Sequence, residues 1–325
     1  MKARSAIYRS LRFAVVIAAA LGSVGPAQAF SCTFSITNLN FGNIDLTANT
    51  TFDTTGTLSI NCSGGGQGDV VRICPNINAG TGGTTTGNPR FLLNGTTKLN
   101  FNLYQDSART TVWGSYLWSF PSFTAPTISL TLCAGGSAST TATIFGRISA
   151  GQQTLAPGTY TSSFSGTNTQ IAYDITTDDC ATIGNKNATS APFTVTATYP
   201  ATCSVSAATL NFGSQGLLTA NVDASSTLTA TCSSTTTYTI ALNGGNAGAT
   251  DPTQRKMSKA TEQITYGLYR DSARSQAWGS TTGTNTASGT GSGLGQSFTV
   301  FGRVPAQTTP SPGTYSDTII ATLTF

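Results

Sequence analysis

CTFSITNLNFG, residues 32–42, returns as CSVSAATLNFG at residues 203–213, and much of the chain repeats around it. YQDSAR (104–109) is matched by YRDSAR (269–274), and WGS (113–115) by WGS (278–280). FGR (145–147) is matched by FGR (301–303), and PGTY (157–160) by PGTY (312–315). Five blocks in one order are two copies of a single fold. After PGTY the first copy continues into FTVTATY (193–199), with Phe193, Val195, Ala197 and Tyr199 on one parity and threonines on the other. That is the alternation of a half-buried strand. After the second PGTY there is only one alternating run, carrying Ile319, Ala321, Leu323 and Phe325. The second copy is therefore expected to lack a strand that the first one has, and to offer these four residues as an open, strand-accepting edge.

The rest of the pattern is also β. Leu58-Ser59-Ile60 and Ile128-Ser129-Leu130-Thr131-Leu132 alternate, and Gly, Asn and Pro punctuate the chain at short intervals. Such spacing predicts an all-β protein of two immunoglobulin-like antiparallel β-sandwich domains, the second lacking its final strand. The boundary is expected at Pro200-Ala201-Thr202, giving domains at 30–199 and 200–325.

Residues 1–29 read as a signal peptide: Lys2, Arg4, Arg9 and Arg12 precede the apolar stretch Phe13–Leu21, and Ala27-Gln28-Ala29 has the form of a cleavage site. The expected destination is the cell surface, by way of the periplasm. The leader holds four of the 16 basic residues and none of the 12 acidic ones, so the remainder is formally neutral. With only 9% charged residues it lacks the electrostatic footprint of a nucleic-acid binder. There is no histidine, which removes Ser–His–Asp and Cys–His catalysis and most zinc sites. No enzyme, catalytic residue, metal or cofactor is expected.

Seven cysteines in an exported chain point to disulfides. Cys32 and Cys62 recur with the repeat as Cys203 and Cys232, so each copy is expected to close one bridge. Cys74, Cys133 and Cys180 occur in the first copy alone; two of the three can pair, and the sequence leaves open which.

The copies differ by insertions. LNFG recurs after 171 residues, WGS after 165 and FGR after 156, so the first copy carries extra residues in two places. One contains Tyr116-Leu117-Trp118-Ser119-Phe120-Pro121-Ser122-Phe123, where the second copy has a Gly- and Thr-rich stretch. The bland reading is an additional core strand; aromatics and prolines that break alternation favour an exposed apolar loop. Phe91-Leu92-Leu93, in the other insertion, is a second candidate loop and Ile183 a third. Trp113 and Trp278 recur and are read as core. Asp106 with Arg109, and Asp271 with Arg274, are read as turn or ion-pair residues. Asp178-Asp179 fits a solvated turn better than a carboxylate pair across a cleft.

Taken together, CSVSAATLNFG, YRDSAR, WGS, SFTVFGR and PGTY with the terminal TLTF closely resemble the spore coat U domain, the subunit fold of archaic (Csu-type) chaperone–usher pili. The resemblance covers nearly all of 203–325 and the five blocks of the first copy. It implies a periplasmic chaperone that lends a strand to the incomplete sandwich, and an outer-membrane usher where the next pilus subunit replaces it. Cleavage after Ala29 leaves only Phe30 and Ser31 before Cys32, too few for a donor strand. The expected place is the pilus tip, with the first domain holding an abiotic or host surface through its apolar loops and supporting biofilm formation. The competing readings are a secreted carbohydrate-binding module, using Tyr116 and Trp118 as stacking platforms, and a coat structural protein.

Overall fold

The computed structural model describes residues 29–325; the expected leader falls outside them apart from Ala29. In the first copy, β1 (Ser31–Ile36), β2 (Leu39–Asn43), β3 (Phe52–Ser63), β4 (Val70–Pro75), β5 (Arg90–Asn94) and β6 (Thr97–Tyr104) come first. They are followed by β7 (Ile128–Thr131), β8 (Ser137–Ile148), β9 (Gly158–Phe164), β10 (Gln170–Ile175), β11 (Thr189–Ser190) and β12 (Phe193–Tyr199). The second copy contributes β13 (Cys203–Ala207), β14 (Val222–Cys232), β15 (Thr237–Leu242) and β16 (Arg255–Lys259), then β17 (Glu262–Tyr269), β18 (Ala287–Thr290), β19 (Gly295–Val304) and β20 (Ala321–Thr324). One four-residue helix, α1 (Cys180–Ile183), sits between β10 and β11.

Each copy is a sandwich. The first faces an eight-stranded sheet, β1-β3-β8-β6-β5-β9-β12-β2, with a four-stranded one, β11-β10-β4-β7. The second faces β13-β14-β19-β17-β16 with β18-β15-β20. Alternation explains the cores: β3 buries Leu58, Ile60 and Cys62 while Thr57, Ser59 and Asn61 face outward. The PGTY block is a turn held by its own tyrosine. The Tyr160 hydroxyl donates to the Ala156 carbonyl at 2.6 Å, and that of Tyr315 to the Ser311 carbonyl at 2.8 Å, as in the tyrosine corner of immunoglobulin-like sandwiches. Its glycine is required, since Gly158 and Gly313 both have φ +154° and an added Cβ would collide with Asn94 or Lys259.

The expected disulfides Cys32–Cys62 and Cys203–Cys232 are present, each joining neighbouring strands at directly opposed positions. The open question closes with Cys74–Cys180, leaving Cys133 free and exposed.

β12 decides the difference between the copies. It pairs antiparallel with β9 along all seven residues and parallel with β2, Val195 opposite Leu39. Phe193, Val195, Ala197 and Tyr199 are all buried, as the alternation predicts. Among the described residues of the second copy nothing occupies the corresponding slot. Its two banks, residues 210–213 and 313–319, form no continuous strand and have no strand paired between them.

Candidate functional site

The empty slot is a groove of about 780 Å³ whose lining mixes polar groups with the apolar side chains of Leu210, Phe212, Leu217, Met257, Ile264 and Tyr315. Structural equivalence makes its meaning plain. Leu39, Leu92, Leu99 and Tyr160 of the first copy are each 0% exposed. Their counterparts Leu210, Met257, Ile264 and Tyr315 are only partly buried. One missing strand uncovers all four, and Leu217 beside them is 76% exposed. The far bank is held ready. Glu262 accepts from the backbone and hydroxyl of Ser311 and from the Tyr315 hydroxyl, while Lys259 Nζ donates to the Pro312 carbonyl at 2.6 Å. These hydrogen bonds hold the Glu262 carboxyl below its ordinary range, that of Ser311 most.

This geometry divides the sequence-based edge between two sheets. Ile319, Ala321 and Leu323 do point inward, but β20 belongs to the sheet opposite the slot, where Ala321 and Leu323 pair with β15. Phe325 is 59% exposed. β20 is the outer strand of that sheet, and among the described residues its other side is unpaired where β10 of the first copy carries β11. One alternating run is thus shared between two sheets, which periodicity alone cannot show.

The inserted aromatic segment is a loop, as expected, but a tethered one. The Gly114 and Ser115 N–H groups donate to the Thr124 and Phe123 carbonyls, and Phe123 N–H donates to the Phe120 carbonyl. Trp118 Nε1 donates to the Phe123 carbonyl at 2.8 Å, and its ring meets Phe120 edge-on at 5.3 Å. The Trp118 ring also covers Arg90, 5.0 Å from its Cζ. Tyr116, Leu117, Trp118, Phe120 and Phe123 are consequently half-buried, while Ser119, Pro121 and Ser122 are exposed. Phe91-Leu92-Leu93 is not a loop: it lies in β5, with Phe91 and Leu92 buried, because the motif belongs to the β5–β6 hairpin. Ile183 is buried as well, against Cys74 and Cys180.

Sequence reasoning passed over the residues that hold each sandwich together. Arg90 and Arg255 are fully buried without a carboxylate partner. Arg90 donates to the carbonyls of Ile77, Asn78 and Trp113 and to Asn102 Oδ1; Arg255 donates to Leu242, Asn243, Pro252 and Trp278 carbonyls. Burial pushes the Arg90 guanidinium down to about 9. Gln152 and Gln307 likewise clamp the backbone of Asn100 and Thr265. Both pairs recur at the same spacings as YxDSAR and PGTY, and that was the available signal. The recurring aspartates act as read, in turns: Asp106 accepts from the Thr110 and Thr111 backbone. Arg109 does not pair with it, but reaches Asp53 at 3.2 Å beside Arg147. The second copy repeats this with Arg274, Asp223 and Arg303. Asp179 caps α1 through Thr182 N–H, a turn as expected.

The Spore Coat Protein U domain matches residues 18–167 and again 189–322. Protein U of Myxococcus xanthus is 38% identical over 130 residues, covering 36% of this chain and 72% of the relative. In fold, the chain is similar to the CsuC–CsuE chaperone–tip adhesion subunit pre-assembly complex from archaic chaperone-usher Csu pili of Acinetobacter baumannii. The TM-score is 0.53 at 16% identity, over 91% of this chain and 100% of that one. This chain belongs to the Spore Coat Protein U domain family, with two copies of the domain.

Proposed function

We propose that this chain is the tip adhesin subunit of an archaic chaperone–usher pilus, exported through the periplasm to the cell surface. The observation that carries the reading is the groove, where Leu210, Met257, Ile264 and Tyr315 stand open while their counterparts are sealed by β12. A strand from another chain would seal them in the same way. Residues 200–325 are the acceptor domain, served first by a periplasmic chaperone and then, at the outer-membrane usher, by the next subunit. Residues 30–199 are the adhesive domain.

One feature of the first copy supports the tip position. The aromatic loop supplies the contact with abiotic or host surfaces that underlies biofilm formation, by removing apolar area from water at about 25 cal/mol per Å². Co-expression with the pilus chaperone should yield a soluble one-to-one complex. A monomer that stays stable and soluble with its groove empty would overturn the reading.

A further inference from the structure

Both feet of the aromatic loop stand on core residues that the second copy lacks. Trp113 Nε1 donates to the Pro75 carbonyl and Trp278 Nε1 to the Ile240 carbonyl, which aligns Cys74 with Thr239 and Asn76 with Ala241. Asn76 is 1% exposed. Its Oδ1 accepts from Tyr116 N–H at 2.7 Å and from the Ser115 hydroxyl at 3.3 Å, while its Nδ2 donates to the Cys74 carbonyl at 3.1 Å. The Tyr116 side chain packs on a small cluster of Cys74, Ala172, Cys180 and Ile183, separate from the main core. At the other foot, the Thr127 hydroxyl reaches Cys180 Sγ at 3.4 Å. The segment carrying Cys180 is tied to β4 as well: Arg72 donates to the Thr177 and Asp178 carbonyls.

A bridge, a buried amide and an aromatic loop thus occur together in one copy and are all absent from the other. We propose that Asn76 and the Cys74–Cys180 bridge are positioning residues for surface attachment, fixing the stem of the loop so that Trp118, Phe120 and Pro121 are presented at the surface. The physical need is specific. An untethered loop of this composition would sample other packings of its rings, and ordering it at each contact would weaken attachment. The inference rests on the adhesive reading of residues 116–126.

The test uses the full exported chain carrying Asn76→Ala, or Cys74→Ala with Cys180→Ala, beside Cys133→Ser as a control and a Trp118/Phe120/Phe123 triple-Ala variant. Chymotrypsin cleavage between Tyr116 and Phe123 should quicken about tenfold in both positioning variants, and retention on polystyrene should fall by a similar factor, with circular dichroism unchanged. Cys133→Ser should match wild type in both. Should the bridge variant not fold, Asn76→Ala decides alone. Retention at the wild-type level despite faster cleavage, or unchanged cleavage, overturns the positioning role. Undiminished retention by the triple-Ala variant sinks instead the adhesive reading beneath it.

Discussion

Leu39 and Leu210 open the same LNFG block, yet Leu39 is fully buried beside Val195 and Leu210 stands half open. The difference is one strand, so supplying that strand should close it. Residues 193–199, appended after Phe325 through a linker as long as residues 174–192, should enter the groove between Leu210–Gly213 and Gly313–Ile319. Burying four apolar side chains, less the cost of ordering the segment, leaves a net gain of about 3 kcal/mol, or roughly 10 °C in the unfolding midpoint of the second copy. Differential scanning calorimetry checks this. A scrambled segment that raises the midpoint equally would exclude the groove as the cause.

Replacing Trp118, Phe120 and Phe123 together by Ala should reduce attachment to plastic. If contact removes about 100 Å² of apolar surface from water at these rings, their loss costs about 2.5 kcal/mol per molecule, more than a tenfold drop in retention. The rings are half-buried, so an unfolding scan run in parallel separates lost contact from lost fold. Glycan-array binding that disappears with the rings while plastic retention holds would favour the carbohydrate reading.

Arg90 and Arg255 each donate to several buried backbone carbonyls. Arg90→Met strands those acceptors and should cost about 3 kcal/mol, with Arg255→Met costing a similar amount in its own sandwich. Lysine should not rescue either site, because a single ammonium cannot reproduce the planar fork. Urea midpoints of the four variants provide the check, and a full rescue by Lys would contradict this account.

Asp53 is held below the ordinary carboxylate range, first by its hydrogen bonds from Arg147 and then by the charge of Arg109, partly offset by burial. A depressed folded pKa gives stability that is present above the unfolded value, about 4, and is lost as pH falls through the folded one. Solvent screens this group, so its worth is about 1 kcal/mol or less. The midpoint gap between wild type and Asp53→Asn should be open at pH 6 and closed near pH 2, values chosen to lie about two units either side of the transition. Asp223→Asn should behave alike, since Arg303 and Arg274 hold Asp223 in the same way. A gap of constant size across that range would show that ionisation is not its source.

Much of this was readable from residue order. The five repeated blocks announced the duplication, the parity of 193–199 announced β12, and the recurrence of Cys32 and Cys62 announced two bridges. Phe91-Leu92-Leu93 misled because a short apolar run looks the same in a strand as in an exposed loop, and only its pairing with Leu99 and Asn100 tells them apart. Arg90 was passed over because a lone basic residue reads as solvated; nothing local shows that three carbonyls converge on it.

Composition and period suffice for the fold class, the count of copies and the inward face of each strand, since these depend on neighbours along the chain. Which edge lacks its partner, where Cys74 finds its bridge and how far the Trp118 ring is covered depend on residues far apart in sequence. Those were decided by the folding of one alternating run across two sheets and by the closing of the 106-residue separation between Cys74 and Cys180, contacts that exist only once the sandwich has formed.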